Sequence, residues 1–311
     1  MPPVSAAVWM IIGSVAFAGM NVVIRFASDE MHTYQLVFFR NLFGLLWMAP
    51  WLMSYGMAAL RTGRIMFYVF RSSLGLVGMY GSFYAVTHMV MADATALSFT
   101  APLFATVGAV LFLGERIRLR RTIATLVGFL GVLIVLRPGP EMLNPVAIIA
   151  LIGSAAGAAS ILVVRSLSKT EPPNAIVVYM VLFLAPMSLP AAIWVWVWPS
   201  WTDLGLMVIL GGLGTLGHLS VTRAYAMAEA TAVLPYDYLR LPVVALGGFL
   251  AFGELPDHWT FAGAGVIALS SIYIARREAQ VKRSQGVAGR SAIGDGAPKH
   301  PAPGLDGGKA P

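Results

Sequence analysis

The sequence predicts an all-α integral membrane protein of ten transmembrane helices, arranged as two inverted five-helix repeats. Three observations carry this. Of 311 residues, 58% are hydrophobic and 11% charged, where a soluble domain carries about 25% charged residues. Ten apolar runs are long enough to cross a bilayer, which takes about 20 residues in a helix. The fourth and ninth runs begin and end alike.

The runs are 6–26, 33–54, 66–88, 92–114, 120–137, 146–166, 174–197, 203–226, 230–252 and 258–276. In lipid the backbone must satisfy its own hydrogen bonds, so each run reads as a helix. A barrel strand would alternate apolar and polar residues, and these runs are apolar all round. The first run follows no basic segment and is longer than a signal-peptide core, so it reads as a retained helix. The chain has no cysteine, which excludes disulfides and thiolate-held metal.

Lys and Arg set the orientation. Arg61 and Arg64 follow run 2, and Arg116, Arg118, Arg120 and Arg121 follow run 4. Arg165 and Lys169 follow run 6, and Arg276, Arg277, Lys282 and Arg283 follow run 10. The loops after runs 3, 7 and 9 have neither residue, and the loop after run 5 has only Arg137. Both termini are therefore expected in the cytoplasm, across a cell inner membrane. The net charge of +7 follows from these loops without nucleic acid. Trp9, Trp47 and Trp51 fall at the inner interface, and Trp194, Trp196, Trp198, Trp201 and Trp259 toward the outer one. Residues 279–311, rich in Gly, Ala, Pro, Lys and Ser, read as a disordered cytoplasmic tail.

ADATAL at 92–97 matches AEATAV at 228–233, and LFLGE at 111–115 matches LAFGE at 250–254. The offsets are 136 and 139 positions. Each run carries a proline, Pro102 and Pro242, and closes on Gly-Glu, Gly114-Glu115 and Gly253-Glu254. The halves are 1–139 and 140–278. Five helices is an odd number, so the second half starts from the opposite side of the membrane. Inverted halves that exchange roles as gates are a transporter architecture, and interrupted helices at matching positions point to its binding site. Proline removes a backbone donor, which frees carbonyls near Ser98 and Tyr238 to face a cavity or only to shape packing.

These two copies, with the FFRN stretch Phe38–Asn41, resemble the drug/metabolite transporter superfamily in its EamA-type branch, over about residues 6–276. The resemblance implies ten helices, inverted halves and a central cavity for small organic solutes. Such transporters export amino acids or take up metabolites such as S-adenosylmethionine or riboflavin.

The stretch LPYDYLRLP, 234–242, puts the only two charges of the ninth run deep in the membrane. Asp237 lies about 10 Å and Arg240 about 15 Å in. Three residues apart, they share a face and are expected to pair, either as a purely structural pair or as a binding site. In the second reading Arg240 takes a carboxylate or phosphate, Asp237 an amine, and Tyr236 and Tyr238 supply rings and hydroxyls. Proton coupling through Asp237 is disfavoured by the neighbouring arginine. Further candidate contacts are Ser98, Tyr80, Tyr84, Asn21 and His218, each with a packing alternative. Arg40, beside Asn41, is expected to reach Asp29 or Glu30 in a structural or gating role. Arg25, Arg71 and Arg223 are expected to snorkel. Gly75, Gly78, Gly81, Gly153 and Gly157 offer faces for close helix approach.

Other functions lack their signatures. The chain has no GxxxxGK[ST] loop for ATP. It has no GxSxG nucleophile, and no histidine has a ligand partner at enzyme spacing. No filter motif or charge ring suggests a channel. The chain is therefore expected not to be an enzyme and to need no cofactor or metal. The expected partners are a small-molecule solute, the lipid bilayer and, optionally, a second copy of the chain. The function expected is secondary transport by alternating access, foremost export of amino acids or related zwitterions. The alternative is uptake of a larger cofactor-like metabolite, held in a cage of Tyr80, Tyr84, Tyr236 and Tyr238.

Overall fold

The computed structural model describes residues 4–55, 62–113, 119–136, 144–167, 170–228 and 233–280, less 234–235, 271, 274–275 and 277–279. All regular structure among them is helical. In chain order the helices are α1 Val4–Ala27, α2 Thr33–Tyr55, α3 Ile65–His88, α4 Met91–Ser98, α5 Ala101–Leu113 and α6 Leu119–Leu136. They continue as α7 Pro145–Leu167, α8 Pro173–Trp194, α9 Trp201–Met227, α10 Arg240–Phe252 and α11, 258–270. The expected tail, 281–311, lies outside the described residues.

Among the described residues, five helices are long and apolar enough to span a membrane: Val4–Ala27, Thr33–Ser54, Pro145–Val164, Asn174–Trp194 and Trp201–Met227. Thr122–Val135 and Arg240–Phe252 are apolar but shorter. Ten uninterrupted spans are not what is found. The fourth run is split into α4 and α5 by a turn at Phe99 and Thr100, and the ninth is broken by a turn at Tyr238 and Leu239. Pro102 enters the first turn of α5, where its missing N–H costs nothing. That missing N–H would otherwise have bonded Ser98 O, four residues back.

Large apolar side chains point outward. Leu46, Met53, Phe70, Leu130, Trp194, Leu250 and Leu269 are all exposed. The interior holds Ser14, Asn41, Arg40, Arg71, Ser72, Thr100 and Thr215. A surface this apolar, over an interior that also buries polar and charged side chains, fits lipid rather than water.

Glycine sets the tightest helix contacts. α3 packs along α7 and α1 along α9. A Cβ on Gly81 would stand 2.7 Å from Gly153 Cα and 2.7 Å from Ile149 O. A Cβ on Gly13 would stand 3.3 Å from Gly217 O, and one on Gly211 2.8 Å from Gly44 N. α2 lies against α8 and α9, and α1 also meets α10 while α7 meets α5. Two pairs are reciprocal: exchanging α1 with α7, α3 with α9 and α5 with α10 maps the α3–α7 contact onto α1–α9 and the α5–α7 contact onto α1–α10.

Two helix ends are built by specific side chains. Ser200 and Asp203 form a reciprocal capping box at the start of α9. At the end of α10, Gly253 adopts φ 68°, the left-handed region open to glycine. Glu254 N then donates back to Gly248 O at 3.2 Å. This turn aims the Glu254 side chain across the bundle.

Candidate functional site

Both breaks meet at one place. α4 ends at Ser98 and packs against the start of α10. Arg240, the first residue of α10, donates through Nη2 to Ser98 Oγ at 3.3 Å. The same nitrogen stands 3.6 Å from Asp237 Oδ2. At that separation the expected pair forms as an ion pair without a hydrogen bond. Asp237 Oδ1 accepts from Ser14 Oγ of α1 at 3.0 Å. The guanidinium lies 5.1 Å from the Phe99 ring centroid and 5.8 Å from that of Phe17. Phe99 in turn meets Tyr238 edge-on at 4.7 Å, and Phe17 meets His218 at 5.1 Å.

The result is a polar cluster walled by aromatic rings. Arg240 has five N–H donors, yet its Nε is buried and bonded to nothing among the described residues. Such an arginine can still accept an anionic group. A carboxylate and three hydroxyl-bearing or aromatic neighbours beside it can address an amine and an apolar body.

The freed carbonyls are bonded within the chain. Ser98 O accepts from Ser154 Oγ of α7 at 3.3 Å, and Thr100 Oγ1 donates to the same Ser154 Oγ at 2.8 Å. Tyr238 O accepts from Leu241 N at 3.1 Å in a tight turn. Ser14 and Ser154 therefore each serve one break. Sequence reasoning missed both. The signal was present: Ile-Gly-Ser recurs at 12–14 and 152–154.

Residues 4–137 match the EamA-like transporter family. The chain is 30% identical over 266 residues to the S-adenosylmethionine uptake transporter of Rickettsia bellii, spanning 86% of this chain and 91% of that protein. It is 31% identical over 288 residues to the riboflavin transporter of Vibrio cholerae, at 91% and 97% coverage. The chain belongs to the EamA-like transporter family. It is also 31% identical over 271 residues to the pseudopaline exporter CntI of Pseudomonas aeruginosa, at 86% and 94% coverage. These are names of transporters rather than of enzymes. A protein known from its crystal structure shares the fold, with a TM-score of 0.62 at 16% identity, over 88% of this chain and 99% of its own. As an EamA-like transporter, the protein is a helical membrane protein that moves small metabolites.

Other candidate residues of this EamA-like chain lie elsewhere. Asn21 donates to Thr95 Oγ1 at 3.4 Å, tying α1 to α4. Tyr80 meets Tyr34 of α2, Tyr84 stacks on His88, and Tyr236 packs with the cluster around Ala6 and Met10. The rings of Tyr80 and Tyr84 have partners outside the expected four-tyrosine cage. Tyr238 meets Phe99, over which the Arg240 guanidinium lies.

Several arginines depart from expectation. Arg40 does not reach Asp29 or Glu30; its Nη1 donates to Asn41 Oδ1 at 2.9 Å and the residue is 1% exposed. Arg71 does not snorkel: it is 8% exposed, with Nη2 3.2 Å from Met180 Sδ. Arg223 stacks on Trp9 at 4.7 Å. Arg25 pairs with Glu254 at 3.0 Å and donates to Val86 O at 3.0 Å. Glu254 Oε2 also accepts from Met91 N, the first residue of α4, at 3.0 Å. The closing Gly-Glu thus locks α10 to α1 and α4. Gly114 and Glu115 lie outside the described residues. Pro242 sits in the first turn of α10.

Proposed function

We propose that the protein is a secondary transporter of small zwitterionic metabolites, amino acids and their derivatives first among them, working by alternating access between two inverted halves. The carrying observation is Arg240. It is a charged, part-buried residue at the junction of two broken helices, with Nε buried and without a partner among the described residues. An intramembrane charge is costly and marks a functional site by default. In this reading Arg240 takes the solute's carboxylate and Asp237 its ammonium group. Ser14 and Ser98 position the two, and Phe17, Phe99 and Tyr238 face its apolar part.

The reciprocal pairing of α1 with α9 and α3 with α7 supports halves 1–139 and 140–278. Glycine contacts let those pairs slide. The Arg25–Glu254 lock closes the end expected to face outward. Its sequence counterparts, at offsets of 140 and 139, are Arg165 and Glu115. The Lys and Arg distribution supports cytoplasmic termini in a cell inner membrane.

A second reading, a larger cofactor-like ring system, is favoured by the rings of Phe17 and Phe99 about Arg240. The relatives' names include both uptake and export, and net direction in a secondary transporter follows the gradients. Counterflow exchange in proteoliposomes decides between the readings. Labelled amino acids should exchange and riboflavin should not compete. Exchange of riboflavin but of no amino acid would favour the second reading, and exchange of neither would remove both.

A further inference from the structure

Arg40 holds a second buried cation that the exchange site does not use. It projects from α2 onto α9, roughly halfway along that helix. An added Cβ on Gly214 would stand 2.6 Å from Arg40 Nε and 2.8 Å from Nη2. Among the described residues, Nη1 alone is bonded, to Asn41 Oδ1. Nε and Nη2 are buried and bonded to nothing among the described residues. Asn41 itself is anchored to Val37 O at 2.8 Å and Met79 Sδ at 3.4 Å, so it holds the guanidinium in place.

Among the described residues no carboxylate is paired with Arg40. Arg71 is the charge that acts on it, and it has the same sign. Arg71 also leaves Nε and Nη1 buried and unbonded. Both arginines act on His218. Arg25 shows what a structural arginine does in the same fold: it fills its fork with Glu254 and Val86 O. Arg40 has no such filling, although an uncompensated buried charge is strongly unfavourable. Its two open nitrogens are neighbours on one edge of the guanidinium. One carboxylate or phosphate binds such an edge through two parallel bonds.

We propose that Arg40 and Asn41 form an anion subsite for a second acidic group of the transported solute. The solute class is then a zwitterion with two acids and a net negative charge. This rests on the reading that Arg240 and Asp237 hold the first carboxylate and the ammonium group. The two arginines are close enough for one small molecule. Phe17 lies on Gly217, one turn along α9 from Gly214, and Arg240 lies 5.8 Å from that ring. The guanidiniums are therefore on the order of 10 Å apart. Charged hydrogen bonds of about 2.8 Å at each end leave on the order of 5 Å between the acids, a short dicarboxylate. In this state the unbonded edge of Arg40 packs against Gly214 of α9, and separation of α2 from α9 would admit the acid.

The test uses inorganic phosphate as the probe and the full chain in lipid nanodiscs. Melting temperature is compared in phosphate and in chloride at equal ionic strength, so general salt effects cancel between variants. Wild type should gain about 3 °C at ten times the phosphate Kd. Arg40→Met should lose that gain, and its melting temperature in chloride should equal or exceed that of wild type. Arg40→Lys keeps the charge but not the two-nitrogen edge, and should bind phosphate about ten-fold more weakly. An equal gain in wild type and Arg40→Met would overturn the proposal. So would no gain in wild type, or a large drop in chloride for Arg40→Met with unchanged phosphate affinity in Arg40→Lys. Exchange by Arg240→Ala is read separately. A gain that needs Arg40, together with normal exchange in Arg240→Ala, would keep the subsite and remove the reading joined to it.

Discussion

Removing Glu254 should loosen three helices at once. Its Oε1 lies 3.0 Å from Arg25 Nη2 and its Oε2 accepts from Met91 N at 3.0 Å. Val90, at the N-cap of α4, supplies no side-chain cap of its own, so Glu254 does that work from across the chain. The two side chains are 26% and 13% exposed. Their pair therefore falls between an exposed ion pair, about 0–1 kcal/mol, and the loss of one partner from a buried pair, about 3–5 kcal/mol. We take about 1–2 kcal/mol for the pair and about 1 kcal/mol for the helix-start bond. Glu254→Ala should then cost about 2–3 kcal/mol. Glu254→Gln keeps an acceptor for Met91 N–H and should cost about 1–2 kcal/mol. Reversible unfolding in mixed micelles measures both, and a double-mutant cycle with Arg25→Met isolates the pair. The coupling should be about 1–2 kcal/mol, and a cycle additive within about 0.5 kcal/mol would refute the lock.

Other variants test the remaining contacts. Gly81→Ala puts a methyl against the α7 backbone at 2.7 Å and should cost about 1–3 kcal/mol or more. Gly75→Ala, whose nearest neighbour would be Ser160 Oγ at 3.7 Å, should be neutral or stabilising by up to about 1 kcal/mol; thermal melts compare the two. Ser14→Ala removes the hydroxyl that orients Asp237 and should weaken solute affinity about ten-fold, equivalent to about 1.4 kcal/mol, seen as a higher half-saturation concentration in exchange. Pro102→Ala restores the donor for Ser98 O, which should pull α4 and α5 toward one continuous helix and slow exchange in the same vesicles.

The helices were legible because lipid imposes one solution on every apolar run. The ends of α1, α2, α3 and α7 fall within two residues of the expected spans. The break near Ser98 and the Asp237–Arg240 pair were legible too, from proline chemistry and three-residue spacing. Partners across the bundle were not. Hydropathy treats Arg71 as a span-end residue free to reach water, but the packing of α8 places Met180 over it. Arg40 was assigned acids nearby in sequence, while its neighbours are Asn41 and Gly214. Residue type alone groups the tyrosines, but Tyr80 meets Tyr34 of α2, Tyr84 stacks on His88 of its own helix, and Tyr238 meets Phe99. The repeats carried more than was used. Gly75, Gly78 and Gly81 recur as Gly211, Gly214 and Gly217, 136 positions on. In the fold these are the faces that meet α7 on one side and α1 and α2 on the other.

The most direct test of the central claim is counterflow exchange by Arg240→Ala beside wild type and Arg240→Lys, with folding checked by thermal melt. Exchange of labelled amino acids should vanish in Arg240→Ala and fall steeply in Arg240→Lys, because an ammonium group lacks the guanidinium's planar fork. Wild-type exchange by a folded Arg240→Ala protein would contradict the account and return the Asp237–Arg240 pair to a structural role.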